Sequence, residues 1–224
     1  MVSKLMMVFV ATDIVFALCG GLIMGFALMS EQNMRATPTK ENVAQNLLLD
    51  QCPLTAAVVN SIFIFVTFLL SLPALFLPQN RGWLRAQGWL VVFCATFTLG
   101  MGLAVWAETL QTRKNLSVLW GRESPLVQSL LQQKFNCCGY FNATTPRFQV
   151  DDVCTNLLVA QNKGGCIGQF SSFANGYLDA IFTAAFGIVA LDAVLLLCVA
   201  MVLKYRQEQE RYRHIDEKNG MRGL

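Results

Sequence analysis

Charge is scarce in this chain. Asp, Glu, Lys and Arg make up 14% of its 224 residues, where an ordinary soluble domain carries about a quarter. A deficit of that size points to lipid as part of the solvent. Histidine is almost absent: the one residue, His214, lies in a polar C-terminal stretch. That excludes a His-rich metal site and a His-based nucleophile system. The net charge of +3 is small, and no basic stripe with interleaved aromatics occurs, which excludes nucleic acid as a partner. No Cys-x-x-Cys occurs either, so a thioredoxin-like redox pair and a four-thiolate zinc site both lack their spacing.

Apolar residues are abundant, at 54%, and they gather into four runs. A membrane-spanning helix needs about 20 of them, because each residue rises about 1.5 Å through about 30 Å of hydrocarbon. The runs 5–29, 56–77, 88–107 and 177–203 each satisfy that length. Lys4 ahead of the first run also fits the start of a signal peptide, but the apolar core of such a peptide is only about 7–15 residues long. Pro73, near the end of the second run, predicts a kink.

The connections differ in size. Residues 1–4 precede the first run, and 30–55 form a modest polar loop. Residues 78–87 form a short turn, 108–176 a large polar loop, and 204–224 a charged tail. Lys4, Arg81, Arg85, Lys204, Arg206, Arg211, Arg213, Lys218 and Arg222 are concentrated in the short segments of one side. By the positive-inside rule both termini and the turn are cytosolic, and the loops 30–55 and 108–176 face outside. Trp83, Trp89, Trp106, Tyr177 and Tyr205 sit near span ends, as interfacial anchors do. Two glycosylation sequons, at Asn115 and Asn142, fall in the large outer loop. Asn115 lies close to the membrane, which makes Asn142 the better acceptor.

Of the eight cysteines, Cys19, Cys94 and Cys198 lie in spans and Cys52 just outside one. Cys137, Cys138, Cys154 and Cys166 lie in the large loop, which matures in an oxidising compartment. A loop this small needs staples. Four cysteines allow three pairings; joining the neighbours Cys137 and Cys138 strains disulfide geometry, and the other two pairings stay open. Each bridge would close about 15–30 residues and contribute about 3 kcal/mol in the chain-entropy model. Cys52 is left free, buried or bridged to another chain.

Asp13 and Asp192 are ionisable groups inside spans, with no Lys or Arg beside them. At about 1.5 Å per residue they lie about 12 Å and about 17 Å from the cytosolic ends of their spans. Thr67, Thr96 and Thr98 come out at similar depths. A small polar cluster is expected, with one or both carboxyls protonated, because isolated intramembrane charges are costly. Gly20, Gly21 and Gly25 in the first span, and Gly100, Gly102 and Ala104 in the third, let helices approach closely, first of all within this bundle. Cys198 and Cys94 near span ends are palmitoylation candidates, against the plainer reading of small buried residues.

In the large loop Ser124-Pro125 reads as an N-cap and first helical position. A helix through about Phe135 follows, with Leu126, Leu130, Leu131 and Phe135 on one side. Residues from Gly139 to about Ser172 read as turn-rich, and as the surface best placed to contact partners. Gly164-Gly165 reads as a turn and not a phosphate cradle, no helix following in the required arrangement. Tyr212-Arg213-His214-Ile215 has the form of a sorting string, on a tail whose default is a solvated charged segment.

Four spans, a short first outer loop, a long second one, cytosolic tails and Cys137-Cys138-Gly139 between spans three and four resemble a tetraspanin. The resemblance covers essentially the whole chain. Asp13 followed by Gly20-Gly21 is similar to the family's first-span pattern, with Asp13 in place of the usual asparagine. Asp151-Asp152-Val153-Cys154 departs from the family's Pro-x-Ser-Cys. The resemblance implies an all-α integral membrane protein: a four-transmembrane-helix bundle of two helix pairs, with a small disulfide-stapled, mainly helical extracellular domain. It implies Cys137 paired with Cys166 and Cys138 with Cys154. It implies a scaffold, not an enzyme, that organises other membrane proteins, other tetraspanins among them, and membrane lipids into tetraspanin-enriched microdomains. No metal or cofactor is implied, save a bound sterol or other lipid in a cavity that Asp192 would line. The implied location is the plasma membrane, with endosomal or vacuolar membrane as a further site. Length and loop pattern look most like the fungal type associated with host penetration through an appressorium. A small transporter or channel using Asp13 and Asp192 is the alternative. A claudin-like junction protein would carry its large cysteine-bearing loop first, and a membrane thiol oxidoreductase would need a Cys-x-x-Cys.

Overall fold

The computed structural model describes residues 2–76 and 81–218. Met1, residues 78–80 of the expected turn and residues 219–224 of the expected tail lie outside the described residues. The described chain is helical, with one isolated bridge between Thr144 and Arg147. Its helices are α1 (Val2–Arg35), α2 (Val43–Leu49), α3 (Leu54–Phe76), α4 (Arg81–Leu110), α5 (Thr112–Arg122), α6 (Pro125–Phe135), α7 (Leu157–Lys163) and α8 (Ile167–Lys218). Of these, α1, α3, α4 and α8 are long and apolar enough to cross a membrane.

The first, third and fourth apolar runs lie in these helices and the second does so as far as Phe76, Leu77 lying outside the described residues; the helices also overrun the expected limits. Residues 81–87, expected as turn, are the start of α4, and α8 begins at Ile167 inside the expected loop. Helix propagation costs little once a nucleus exists, so a polar extension stays helical until a breaker stops it. The expected turn-rich stretch from Gly139 to Ser172 therefore shrinks to residues 139–156. Asn156 caps α7 by accepting from the Val159 N–H at 2.9 Å, and Gly164 ends it. Ser124 and Pro125 open α6 as expected, the serine side chain accepting from the Val127 N–H.

The chain divides into two compact units. The first comprises residues 1–25, 56–100 and 185–224. Its buried positions recur every three or four residues: Phe9, Asp13 and Phe16 on α1; Asn60, Ile64, Thr67, Ser71 and Ala74 on α3; Leu84, Gln87, Val91, Cys94 and Thr98 on α4; Asp192, Leu195, Val199 and Val202 on α8. A mean spacing near 3.5 keeps one seam of each helix facing its neighbours. The opposite faces are also apolar, with Leu18, Leu22, Leu69, Trp89 and Leu197 exposed. Helices that are hydrophobic all round suit a lipid surrounding.

Two contacts tighten this unit. A Cβ added at Gly20 would lie 2.5 Å from Cγ2 of Ile64, so α1 and α3 touch there through a bare backbone. Arg206 donates Nη2 to the Ala74 carbonyl at 2.7 Å. The last carbonyls of a helix have no partner of their own, and a cation there also meets the negative end of the dipole.

The second unit comprises residues 26–55 and 101–184. Its core gathers Val43, Ala44, Leu47 and Leu48 of α2, Leu116, Leu119 and Trp120 of α5, Leu131 of α6, and Phe170 and Ala174 of α8. Leu126 is not on the inner face of α6 as expected; it is 64% exposed. Val127 packs on the core in its place, and Gln128, Leu131 and Gln132 are buried. The polar pair at i and i+4 sets the phase of this helix, which places Leu126 on the far side. Lys134 ties α6 down, donating to the Glu41 carbonyl at 2.5 Å and lying 5.0 Å over the Phe173 ring.

Gly20 and Gly21 are expected to respond to alanine with opposite signs. Gly21→Ala meets only an ordinary contact with Phe65 at 3.9 Å and raises helix propensity, a gain of up to about 1 kcal/mol. Gly20→Ala drives a methyl into the stiff β-branched Ile64, an overpacking cost of about 1–3 kcal/mol. Thermal unfolding of the two variants in detergent checks this.

Candidate functional site

Two sets of residues stand out, one in each unit. In the first unit Asp13 is 2% exposed. Its Oδ2 accepts from the Ser71 hydroxyl, and its Oδ1 from Gln87 Nε2 at 3.1 Å. The carboxyl thus joins α1, α3 and α4. Further along the seams Asn60 Nδ2 donates to Thr98 Oγ1 at 2.8 Å, and Thr67 lies 3.8 Å from the Cys94 sulfur. Asp192 is 1% exposed, and neither of its carboxyl oxygens has a hydrogen-bond partner among the described residues. The expected cluster therefore splits. Asp13 is fully engaged, and Asp192 is buried without a partner.

Thr96 does not belong to this polar interior. It is exposed, and its hydroxyl donates to the Val92 and Phe93 carbonyls of its own helix. It falls between the seam positions Cys94 and Thr98, on the outer side of the turn. Ser71, Gln87 and Asn60 are the partners that sequence reasoning missed. Gln87 sits within the segment expected as turn. The signal that identifies all three is their spacing with apolar seam residues, which is visible only once the helix limits are known.

Cys94 and Cys198 are both buried in the first unit. Cys198 accepts from the Thr12 hydroxyl at 3.7 Å, and Cys94 faces Thr67. Acylation needs a thiol open to lipid or solvent, so this packing removes both as palmitoylation candidates and leaves them as small core residues. Tyr212 and Ile215 are exposed but lie within α8, not on an extended string.

The second set is the cysteine clasp. Cys137 is bonded to Cys166 and Cys138 to Cys154. These are the pairs that the resemblance implies. Asn136 ends α6 in the left-handed conformation, with φ 51°, and turns the chain into the clasp. Gly139 follows with φ 74°, where a Cβ would lie 2.2 Å from the Asn142 carbonyl oxygen. The Cys138 N–H then bonds the Gly164 carbonyl at 2.9 Å, and the Cys166 N–H bonds the Gly139 carbonyl at 2.9 Å. A helix does follow Gly164-Gly165, contrary to the expectation. A Cβ at Gly165 would meet backbone oxygens of Phe141 and Tyr140 at 2.3 and 2.5 Å, so this is a backbone crossing and no phosphate cradle.

Two polar side chains hold the clasp in place. Buried Gln132 donates Nε2 to the Gln149 carbonyl at 2.8 Å and to Asp151 Oδ2 at 2.9 Å. Its Oε1 accepts from the Gly139 and Gln149 N–H groups at 3.1 and 3.0 Å. Asp151 Oδ1 accepts from the Val153 and Cys154 N–H groups at 2.9 and 2.7 Å, a side-chain turn that presents Cys154 to Cys138. Asp151 therefore carries the turn where this chain departs from Pro-x-Ser-Cys. The Tyr140 ring packs 5.6 Å from Trp120 and its hydroxyl donates to the Arg113 carbonyl at 2.9 Å. Burial pushes the Tyr140 hydroxyl up to about 12, against a smaller opposite pull from Arg113.

The two sequons differ in place. Asn142 is exposed at the tip of this segment, its Oδ1 accepting from Thr144 and Thr145 N–H groups. Asn115 lies within α5 and donates Nδ2 to Glu108 Oε2 at 2.6 Å. Among the described residues no group of three His, Cys, Asp or Glu side chains comes together as a metal site. The clasp aims no nucleophile or base at a cleft; it fixes the backbone between α6 and α8.

Gln132→Leu is expected to destabilise the chain by at least about 2 kcal/mol, since each buried donor left unpaired costs about 1–3 kcal/mol. Leu126→Ser, on the exposed side of the same helix, stays within about 0.5 kcal/mol. Denaturant unfolding with both disulfides oxidised compares them.

Searched against family models, curated proteins and solved structures, the chain matches none.

Proposed function

We propose that this chain is a tetraspanin-type scaffold, which gathers partner proteins and lipids laterally in a membrane and performs no reaction itself. The observation that carries the reading is the pairing of the adjacent Cys137 and Cys138 to Cys166 and Cys154. These cysteines lie between the third and fourth helices able to cross a membrane. In this reading the four helices form two pairs, both termini are cytosolic, and residues 30–55 and 108–176 face outside. The second unit, apart from the span ends 26–29, 101–107 and 177–184, is then the extracellular domain, glycosylated at Asn142. The irregular segment 139–156 is the partner-contacting surface, since irregular segments on a stapled scaffold carry recognition. The membrane is the plasma membrane, and the length and loop pattern resemble the fungal host-penetration type.

Asp192 takes the lipid-facing role. A buried carboxyl without a hydrogen-bond partner is costly in hydrocarbon. A lipid hydroxyl, a sterol's included, would satisfy it. A small transporter or channel is the second reading, and the same unpartnered carboxyl favours it. Proton or cation flux in liposomes that disappears with Asp192→Asn would select that reading over the scaffold.

Mild-detergent affinity purification with mass spectrometry is expected to recover a set of membrane proteins. Replacing the exposed Phe141 and Val150 of this segment with serine, which leaves Cys154 and Asp151 in place, should remove that set while the chain still reaches the membrane. An unchanged set in that variant would sink the assigned recognition role. Asp192→Leu should leave thermal stability equal or higher, because it removes an unpaired buried group, and should lower photo-crosslinking to a sterol probe. Equal crosslinking in wild type and variant would refute the lipid role of Asp192.

A further inference from the structure

The second unit holds a cavity of about 100 Å³ that neither the core nor the clasp accounts for. Its apolar floor is Leu48 of α2, Val105 of α4, Leu116 and Leu119 of α5 and Leu178 of α8, all buried. Its wall and rim are polar: Gln51, Cys52, Glu108, Thr112 and Asn115. The backbone from Asp50 to Leu54 is a tight turn, with the Cys52 N–H on the Leu49 carbonyl and the Leu54 N–H on the Cys52 carbonyl. That turn sets the thiol at the cavity wall.

The polar side is built around one carboxylate. Asn115 Nδ2 holds Glu108 Oε2 at 2.6 Å, and Thr112 is anchored to Asn175 Oδ1 at 2.7 Å. No Lys, Arg or His is among the lining residues. Glu108 makes no ion pair with a described residue. The Cys52 thiol is pushed up to about 11, mainly by burial and then by the Glu108 charge. Glu108 carries the one carboxyl group among the lining residues. An apolar floor with a few convergent polar groups is the form that small-molecule sites take.

We propose that this cavity binds a small amphiphilic amine, its short apolar chain on the floor of Leu48, Val105, Leu116 and Leu178 and its ammonium at the Glu108 carboxylate. The volume limits the ligand. A dry cavity of about 150 Å³ takes benzene, so this one takes on the order of five heavy atoms. That is a short alkylammonium, or the amine-bearing end of a larger molecule. Both a free amine and the ammonium of an ethanolamine lipid carry this chemistry. An alcohol of the same size fills the floor but forgoes the charge-assisted contact. A carboxylate of the same size meets Glu108 as a like charge. Glycosylation of Asn115 would take Nδ2 from Glu108 and load the cavity rim, so occupancy of the site requires Asn115 to be unmodified. The proposal stands apart from the scaffold reading, because it uses none of the clasp, segment 139–156 or Asp192.

The test uses the full chain in phosphatidylcholine nanodiscs and a short diazirine-bearing alkylammonium probe, with photolabelled peptides mapped by mass spectrometry. Labelling is expected within residues 48–53 and 104–119, competed by n-butylammonium more strongly than by butanol or propanoate at the same concentration. Glu108→Gln should lower amine labelling at least about tenfold, the size of one lost charge-assisted contact, and leave an alcohol probe unaffected. Ala104→Phe, an exposed position at the cavity, should block both probes. Intact mass under non-reducing conditions confirms that both variants keep Cys137–Cys166 and Cys138–Cys154. Competition when phosphatidylethanolamine is included in the disc identifies a lipid as the amine's source; its absence identifies a free amine. Equal competition by amine, alcohol and acid, or unchanged amine labelling in Glu108→Gln, overturns the proposal.

Discussion

Hydrocarbon offers no hydrogen bonds, and that constraint orders the first unit. A polar side chain on an outer face of α1, α3, α4 or α8 has only the backbone of its own helix to turn to, as Thr96 does. A polar side chain on an inner seam can bond another helix. Asp13 does so through Ser71 and Gln87, and Asn60 through Thr98. These contacts have direction and register, which the apolar faces lack. A leucine seam slides by a turn at little cost when lipid tails are as apolar as the partner helix. The Asp13 carboxyl cannot slide without abandoning Ser71 and Gln87 together.

The second unit faces a different problem. Its stapled stretch, residues 137–166, is too short to hold a core of its own, so covalent bonds shrink the ensemble against which the fold competes. A disulfide joins two sulfurs but does not place the backbone between them. Gln132 and Asp151 do that, through hydrogen bonds to the backbone from Gly139 to Cys154. The amide of Gln132 acts as a piece of backbone supplied by a side chain, satisfying N–H groups that no helix or strand can reach. Asp151 supplies the turn that a proline would otherwise impose. The two disulfides thus form with Asp151-Asp152-Val153 ahead of Cys154.

Much of the fold was legible in composition and spacing. The four apolar runs, the Ser124-Pro125 helix start and the Asn142 turn carry local signals with local causes. The misplacements share a cause of their own. Gln87 read as part of a turn because it is polar and lies beside Arg81 and Arg85, yet polar residues cost a helix little in propensity. Leu126 read as core because it is apolar, yet the phase of α6 answers to Gln128 and Gln132. Cys94 and Cys198 read as modifiable because of their depth, yet depth along a helix says nothing about which side of it faces the bundle.

By itself the sequence determined what lipid, oxidising conditions and helix geometry act on directly: the helices able to cross a membrane, the need for staples and the stretch that stays irregular. Tertiary structure decided what depends on two distant residues meeting. It gave Asp13 two partners and left Asp192 none among the described residues, and it brought Cys52, in the turn between α2 and α3, to the same cavity as Glu108 of α4. Periodicity reports the face of one helix at a time. Which faces meet is settled by hydrogen bonds and packing between segments that the chain does not place side by side.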